Sequence, residues 1–125
     1  MSPKQFVIKP SERSPALNVI GIKVTVLVSD ADSQAQQITL QSGDEGAGPP
    51  PHSHEWDESF YVIKVQVQFA RGGQTTTCLP GTLVHVPAGT IHAFRFSPGG
   101  GEMLEVTGAG SKRSEERRVG KECRL

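Results

Sequence analysis

Cysteine is nearly missing from this 125-residue chain, which has only Cys78 and Cys123. Two thiols make no disulfide framework, and a reducing cytoplasm is the expected location. An excess of one charge is missing too, with 13 Lys and Arg against 13 Asp and Glu. Such a balance speaks against nucleic acid or a membrane surface as partner. No apolar run approaches the roughly 20 residues of a membrane helix. The opening MSPKQFVIKP lacks the apolar stretch of a signal peptide. Sustained helical periodicity with caps is absent as well, and with it any helix-turn-helix.

What the chain does have is punctuation: 14 Gly and 9 Pro. In so short a chain that favours many short strands over a few long helices. Gln5–Lys9 is an apolar run ended by Pro10 and reads as an N-terminal strand. Val19–Val28 is β-branched, either one strand or a bent pair hinged near Gly21. Gln36–Leu40 alternates, with Ile38 and Leu40 sharing a face, and a Gly/Pro-rich loop follows. The strongest strand signal is residues 59–69, where Tyr61, Ile63, Val65, Val67 and Phe69 share one parity and form the expected apolar face. Gly72-Gly73, Pro80-Gly81 and Pro87-Ala-Gly89 mark turns between the short strands 75–79, 82–86, 92–96 and 103–107. About eight or more short antiparallel strands, turning every 8–12 residues, predict an all-β sandwich or barrel.

The last residues differ from the rest. Residues 113–125 (RSEERRVGKECRL) hold five basic and three acidic side chains, which leaves residues 1–112 with eight and ten, a net of −2. Arg113–Cys123 resembles the translation of a short-read sequencing adapter, so residues 1–112 are taken as a single domain and 113–125 as a non-native tail.

Four histidines occur, and two form His52-Ser-His54. Residues i and i+2 of a strand point the same way, so both imidazoles can reach one point. Glu58 stands four residues on, and His92 follows the Pro87-x-Gly89 turn. Three imidazoles and a carboxylate suit one divalent transition metal ion (Fe, Mn, Ni, Cu or Zn), with positions left for water or substrate.

Gly46, five residues, His52-x-His54, three residues and Glu58 make one motif; Gly81, five residues, Pro87-x-Gly89, two residues and His92 make a second. Together they resemble the cupin superfamily, small jelly-roll β-barrels, and within it the small quercetinase-like cupins. The resemblance runs from about Ile38 to Val106. It implies a jelly-roll barrel whose inward-facing metal ligands are His52, His54, Glu58 and His92. Two positions depart from it. Val65 stands where the first motif closes on Gly, and Ala93–Phe96 fill the stretch where the second often places Asn. If the motif glycine supplies a positive φ, a β-branched residue there costs on the order of 1–3 kcal/mol.

The neighbouring residues have plainer readings. Asp57 competes with Glu58, since one residue of register reverses which carboxylate points inward. Glu55 belongs in solvent. His85 reads as a packing or rim residue rather than a general base, and Trp56 as the anchor of a loop rather than a lid. Cys78 is an inert, half-buried strand residue. Phe60, Tyr61, Phe69, Phe94 and Phe96 fill the core or line a pocket, and Arg95 faces solvent.

The expected function is that of a metal-dependent oxygenase or dioxygenase acting on a small, mostly apolar or aromatic molecule, with Glu58 as ligand and base. A non-redox isomerase, cyclase or lyase is the alternative, followed by a small-molecule binding module without turnover. Sugar phosphates fit poorly, because few Arg or Lys fall inside the barrel. Pairing of the Gln5–Lys9 strand across a two-fold predicts a homodimer.

Overall fold

The computed structural model describes residues 5–33 and 35–108; the 113–125 tail lies outside the described residues. Seven antiparallel strands form one bent sheet: β1 (Leu17–Val19), β2 (Ile22–Val28), β3 (Gln37–Gly43), β4 (Glu58–Arg71), β5 (Gln74–Cys78), β6 (Leu83–Val86) and β7 (His92–Thr107). The strand order is β1-β2-β3-β7-β4-β5, and β6 pairs with β4 beside β5. The fold is all-β, a jelly-roll barrel as expected. Residues 92–96 and 103–107 are two ends of one 16-residue strand, which lowers the strand number. No helix among the described residues is long and apolar enough to cross a membrane.

Val19–Val28 resolves into the bent pair. Ile20 and Gly21, at φ 53° and 78°, make the two-residue turn that lets Val19 pair with Ile22. The expected N-terminal strand does not form: residues 5–9 have no regular structure, and Phe6, Val7 and Ile8 are exposed. Pro10 has no N–H to donate to a ladder. Instead a short 3-10 turn forms at Pro10–Glu12, where the Lys9 N–H donates to Glu12 Oε1 at 2.8 Å.

β4 and β7 are the spine, and both change parity midway. Glu58, Phe60 and Val62 of β4 point inward, and beyond the change Val67 and Phe69 do. Tyr61, Ile63 and Val65 are therefore exposed, contrary to the single apolar face read through residues 61–69. The cause is local. Val62 pairs with Met103 and Lys64 with Glu102, so Ile63 is one residue extra; a second irregularity follows between Val65 and Val67, opposite Gly101 and Phe96, and past both the odd positions face inward. Val65 sits just past Ile63 at φ 60°, the left-handed conformation the motif glycine would have adopted freely.

β7 changes parity in the same region, from His92, Phe94 and Phe96 to Met103, Glu105 and Thr107. Here the rings need room. Gly43 pairs with Gly101, and a Cβ on either would stand within 2.7 Å of the Phe96 ring. Phe60, Phe69, Phe94 and Phe96 then pack in a chain of contacts with centroids 5.1–5.8 Å apart. Val62, Val67, Cys78 and Met103 belong to the same core, and Cys78, expected half-buried, is 2% exposed.

Candidate metal centre

The histidine segment is not a strand of its own, yet it is tied to one. His52 and His92 exchange both backbone hydrogen bonds, at 3.0 and 2.9 Å. The Gly89 N–H, in the tight turn after Pro87, donates to the His54 carbonyl at 2.8 Å. Two loops that are distant in sequence are thus locked together, and their imidazoles meet inside the barrel. One ring nitrogen from each of His52, His54 and His92 lies within 4.8 Å of the others, and all three residues are buried.

Two of the rings are also held in orientation. His52 Nδ1 lies 2.9 Å from the Pro50 carbonyl and His92 Nδ1 2.9 Å from the Thr90 carbonyl, each two residues upstream. A carbonyl accepts, so the neutral ring carries its proton on Nδ1 and leaves the Nε2 lone pair for the interior, whereas protonated His92 also donates from Nε2 to Glu58. Backbone anchoring of this kind orients the imidazoles that hold metals. The donor set therefore fits a divalent transition metal ion.

Glu58 is brought to the same place and is 2% exposed. Its Oε1 lies 3.2 Å from His92 Nε2, and its Oε2 lies 3.4 Å from His54 Nε2. Trp56 donates its indole N–H to Oε2 at 3.1 Å and stacks on the His54 ring at 4.5 Å. So Trp56, read as a loop anchor, supports two residues of the centre at once. His92 feels a balance: burial works against its protonated form, but the Glu58 hydrogen bond, the Thr90 carbonyl and the charges of Glu58 and Glu105 outweigh it and raise its pKa.

The other candidates lie elsewhere. Asp57 faces outward and accepts the Ala88 N–H at 2.8 Å. His85 sits on the rim of the outer face, 2.8 Å from the Ser59 hydroxyl. Glu55 and Arg95 are exposed, and Tyr61, expected in the core, is 46% exposed.

Sequence reasoning missed the far wall. A cavity of about 40 Å³ lies beside His52 and His54, lined by the apolar Ile22, Val24, Phe60 and Phe94 and also by Gln41 and Glu105. The inward residues of β3 are polar (Gln37, Thr39 and Gln41), and opposite them Glu105 is 3% exposed. No local pattern announces this, because Leu104 and Val106 look like the inward residues of their strand. The signal lies in the register that sets Thr39 beside Glu105.

An antiparallel jelly roll with imidazoles converging on its inner wall defines a class of small barrel with an interior site. Within that class, a family model described as the cupin domain matches residues 38–107, more than half of the chain, and the chain belongs to this family. The quercetin 2,3-dioxygenase of Bacillus subtilis (strain 168) is 30% identical over 83 residues, covering 65% of this chain and 25% of that enzyme. The chain thus spans about a quarter of the length of this curated relative. Among solved structures, an RmlC-like cupin from Shewanella frigidimarina NCIMB 400 superposes with a TM-score of 0.77 at 17% identity, covering 90% of this chain and 98% of that one. The polyketide cyclase RemF from Streptomyces resistomycificus gives 0.73 at 16% identity, with coverage of 95% and 99%.

Proposed function

We propose that His52, His54, Glu58 and His92 hold one divalent transition metal, and that the chain is an oxygenase for a small enolic or aromatic molecule. The observation that carries this reading is the convergence of three buried imidazole nitrogens within 4.8 Å, beside a buried carboxylate. When bound, a redox-active metal supplies a Lewis acid and a route for electrons between substrate and dioxygen. The chain's own residues do the rest. His52 and His92 are held ready by backbone carbonyls, so little reorganises on binding. Glu58 has two roles, as an oxygen donor toward the metal and as the acceptor of the substrate's hydroxyl or enol proton. Trp56 covers the His54 ring and keeps water from that side. Phe60 and Phe94 offer apolar walls for a flat substrate.

A cavity of about 40 Å³ is small beside a flavonol, so the smallest enolic or aromatic compounds are the expected substrates. Oxygen uptake tests this on iron, manganese, nickel, cobalt and copper forms, with flavonols, catechols and 1,3-diketones. Uptake with one of the smaller compounds is expected; none with any form overturns the oxygenase reading. A second reading is favoured by Glu105, a carboxylate suited to proton transfer facing the same cavity. It makes the chain a non-redox isomerase, cyclase or lyase, and turnover by a zinc form without oxygen would put it first. A homodimer is also part of the proposal, supported by the exposed apolar Phe6, Val7 and Ile8. Light scattering at micromolar concentration that finds a monomer would overturn it.

A further inference from the structure

Glu105 is not among the proposed metal ligands, yet it is buried inside the barrel at 3% exposed. It pairs with Thr39 of β3 on one side and Phe60 of β4 on the other. Thr39 donates its hydroxyl to Glu105 Oε1 at 3.0 Å, and the Gln41 amide donates to the same oxygen at 2.8 Å. Gln41 also reaches Thr39 Oγ1 at 3.2 Å, so the three side chains brace one another. Two donors on Oε1 hold the carboxylate in place. Burying it carries a desolvation penalty, and apolar side chains would fill the same space at lower cost. Its position supplies a reason. Glu105 lines the cavity that His52, His54 and Glu58 also line. Glu58 pairs with Thr107, so Glu105 is its diagonal neighbour on the inner face, with Cα atoms about 7 Å apart. A small ligand in that cavity of about 40 Å³ would meet both the His52 and His54 imidazoles and the Glu105 carboxylate. The charge of Glu105 is also felt at His92.

We propose that Glu105, braced by Thr39 and Gln41, receives a hydrogen bond from the substrate's hydroxyl and so selects small hydroxycarbonyl compounds or their enediols, carbonyl oxygen toward the imidazoles and hydroxyl toward Glu105. The proposal deepens the metal-centre reading and rests on it for the carbonyl end of the ligand. A hydrogen bond to a buried charged acceptor favours the hydroxyl-bearing ligand by about tenfold or more.

The test uses cobalt(II)-loaded full-length protein titrated with hydroxyacetone and with methoxyacetone, which keeps the carbonyl but blocks the hydroxyl. Two signals are followed, the visible absorption of the cobalt and the NMR resonance of the Gln41 side-chain amide. Hydroxyacetone is expected to bind about tenfold tighter than methoxyacetone and to move both signals. Glu105→Gln is expected to erase most of that preference with cobalt content unchanged, and Thr39→Val to weaken it less. Equal affinity of the two ketones for the wild type, or a preference that survives in Glu105→Gln, overturns the role of Glu105 while leaving the metal centre standing. Failure to take up cobalt overturns the metal reading instead. The Gln41 resonance then decides Glu105 alone: a shift with hydroxyacetone and none with methoxyacetone supports it, and any other result overturns it.

Discussion

The two halves of β4 lie in one strand and do different work. Glu58–Val62 sends Glu58 and Phe60 toward the imidazoles, while Val67 and Phe69 build the aromatic core. They differ in parity: the first half buries its even positions and the second its odd ones. A straight strand could not do both. With Phe69 and Val67 inward and no bulge, Ser59 would face the interior and Glu58 would face solvent. Site and core therefore coexist in one strand because Ile63 is extra, and Val65 bears the conformational strain next to it at φ 60°. The departure from the family motif at Val65 thus falls at the joint between the two halves.

Removing the joint is the most severe way to break this comparison. Deleting Ile63 takes away the extra residue, and metal binding is expected to be lost entirely; a variant that still holds one metal per chain would mean that Glu58 does not depend on the bulge. Damage to the core half is next. Phe69→Ala removes a ring in contact with Phe60 and Phe94 and is expected to cost about 3–5 kcal/mol in denaturant unfolding. Metal stoichiometry below the transition is expected to stay unchanged, since the ring contacts of Phe69 are to Phe60 and Phe94 rather than to an imidazole of the site. A smaller effect sharpens the account of the joint itself: Val65→Gly relieves a β-branched residue of a left-handed backbone. A gain of about 1 kcal/mol in unfolding free energy is expected, and a loss would show that Val65 is not strained.

The smallest effect belongs to the site half. Burial works against protonated His92, but Glu58, the Thr90 carbonyl and Glu105 outweigh it, so its folded pKa lies above the ordinary 6.5. In metal-free protein that stabilisation is complete below the unfolded pKa and is lost as pH rises through the folded one. The metal-free melting temperature is therefore expected to be lower at about pH 8 than at about pH 6, and His92→Ala should flatten the difference.

The same strand shows what a sequence can reveal. The histidines were legible because turn chemistry frames them. Gly46, Pro87 and Gly89 stand at fixed distances from His52 and His92, and Gly89 adopts the positive φ of 83° that its turn needs. Hairpins at Gly72-Gly73 and near Gly21 were legible for the same reason. The parity change was not. Tyr61, Ile63, Val65, Val67 and Phe69 alternate without a break, and nothing in that pattern marks one residue as surplus; only the pairing with β7 does. Glu105 was hidden by the same blindness to register, since Leu104 and Val106 compete for the inward face until Thr39 and Gln41 are placed opposite. The N-terminal strand failed for a different reason: an apolar run becomes a strand only where a neighbour accepts its hydrogen bonds, and Gln5–Lys9 has none among the described strands.

Whether His52, His54, Glu58 and His92 form a metal centre is tested most directly by elemental mass spectrometry of untagged protein beside a His52→Ala/His92→Ala variant. About one transition metal per chain is expected in the wild type and essentially none in the variant. No metal in the wild type after reconstitution, or equal metal in both proteins, would contradict a metal centre there.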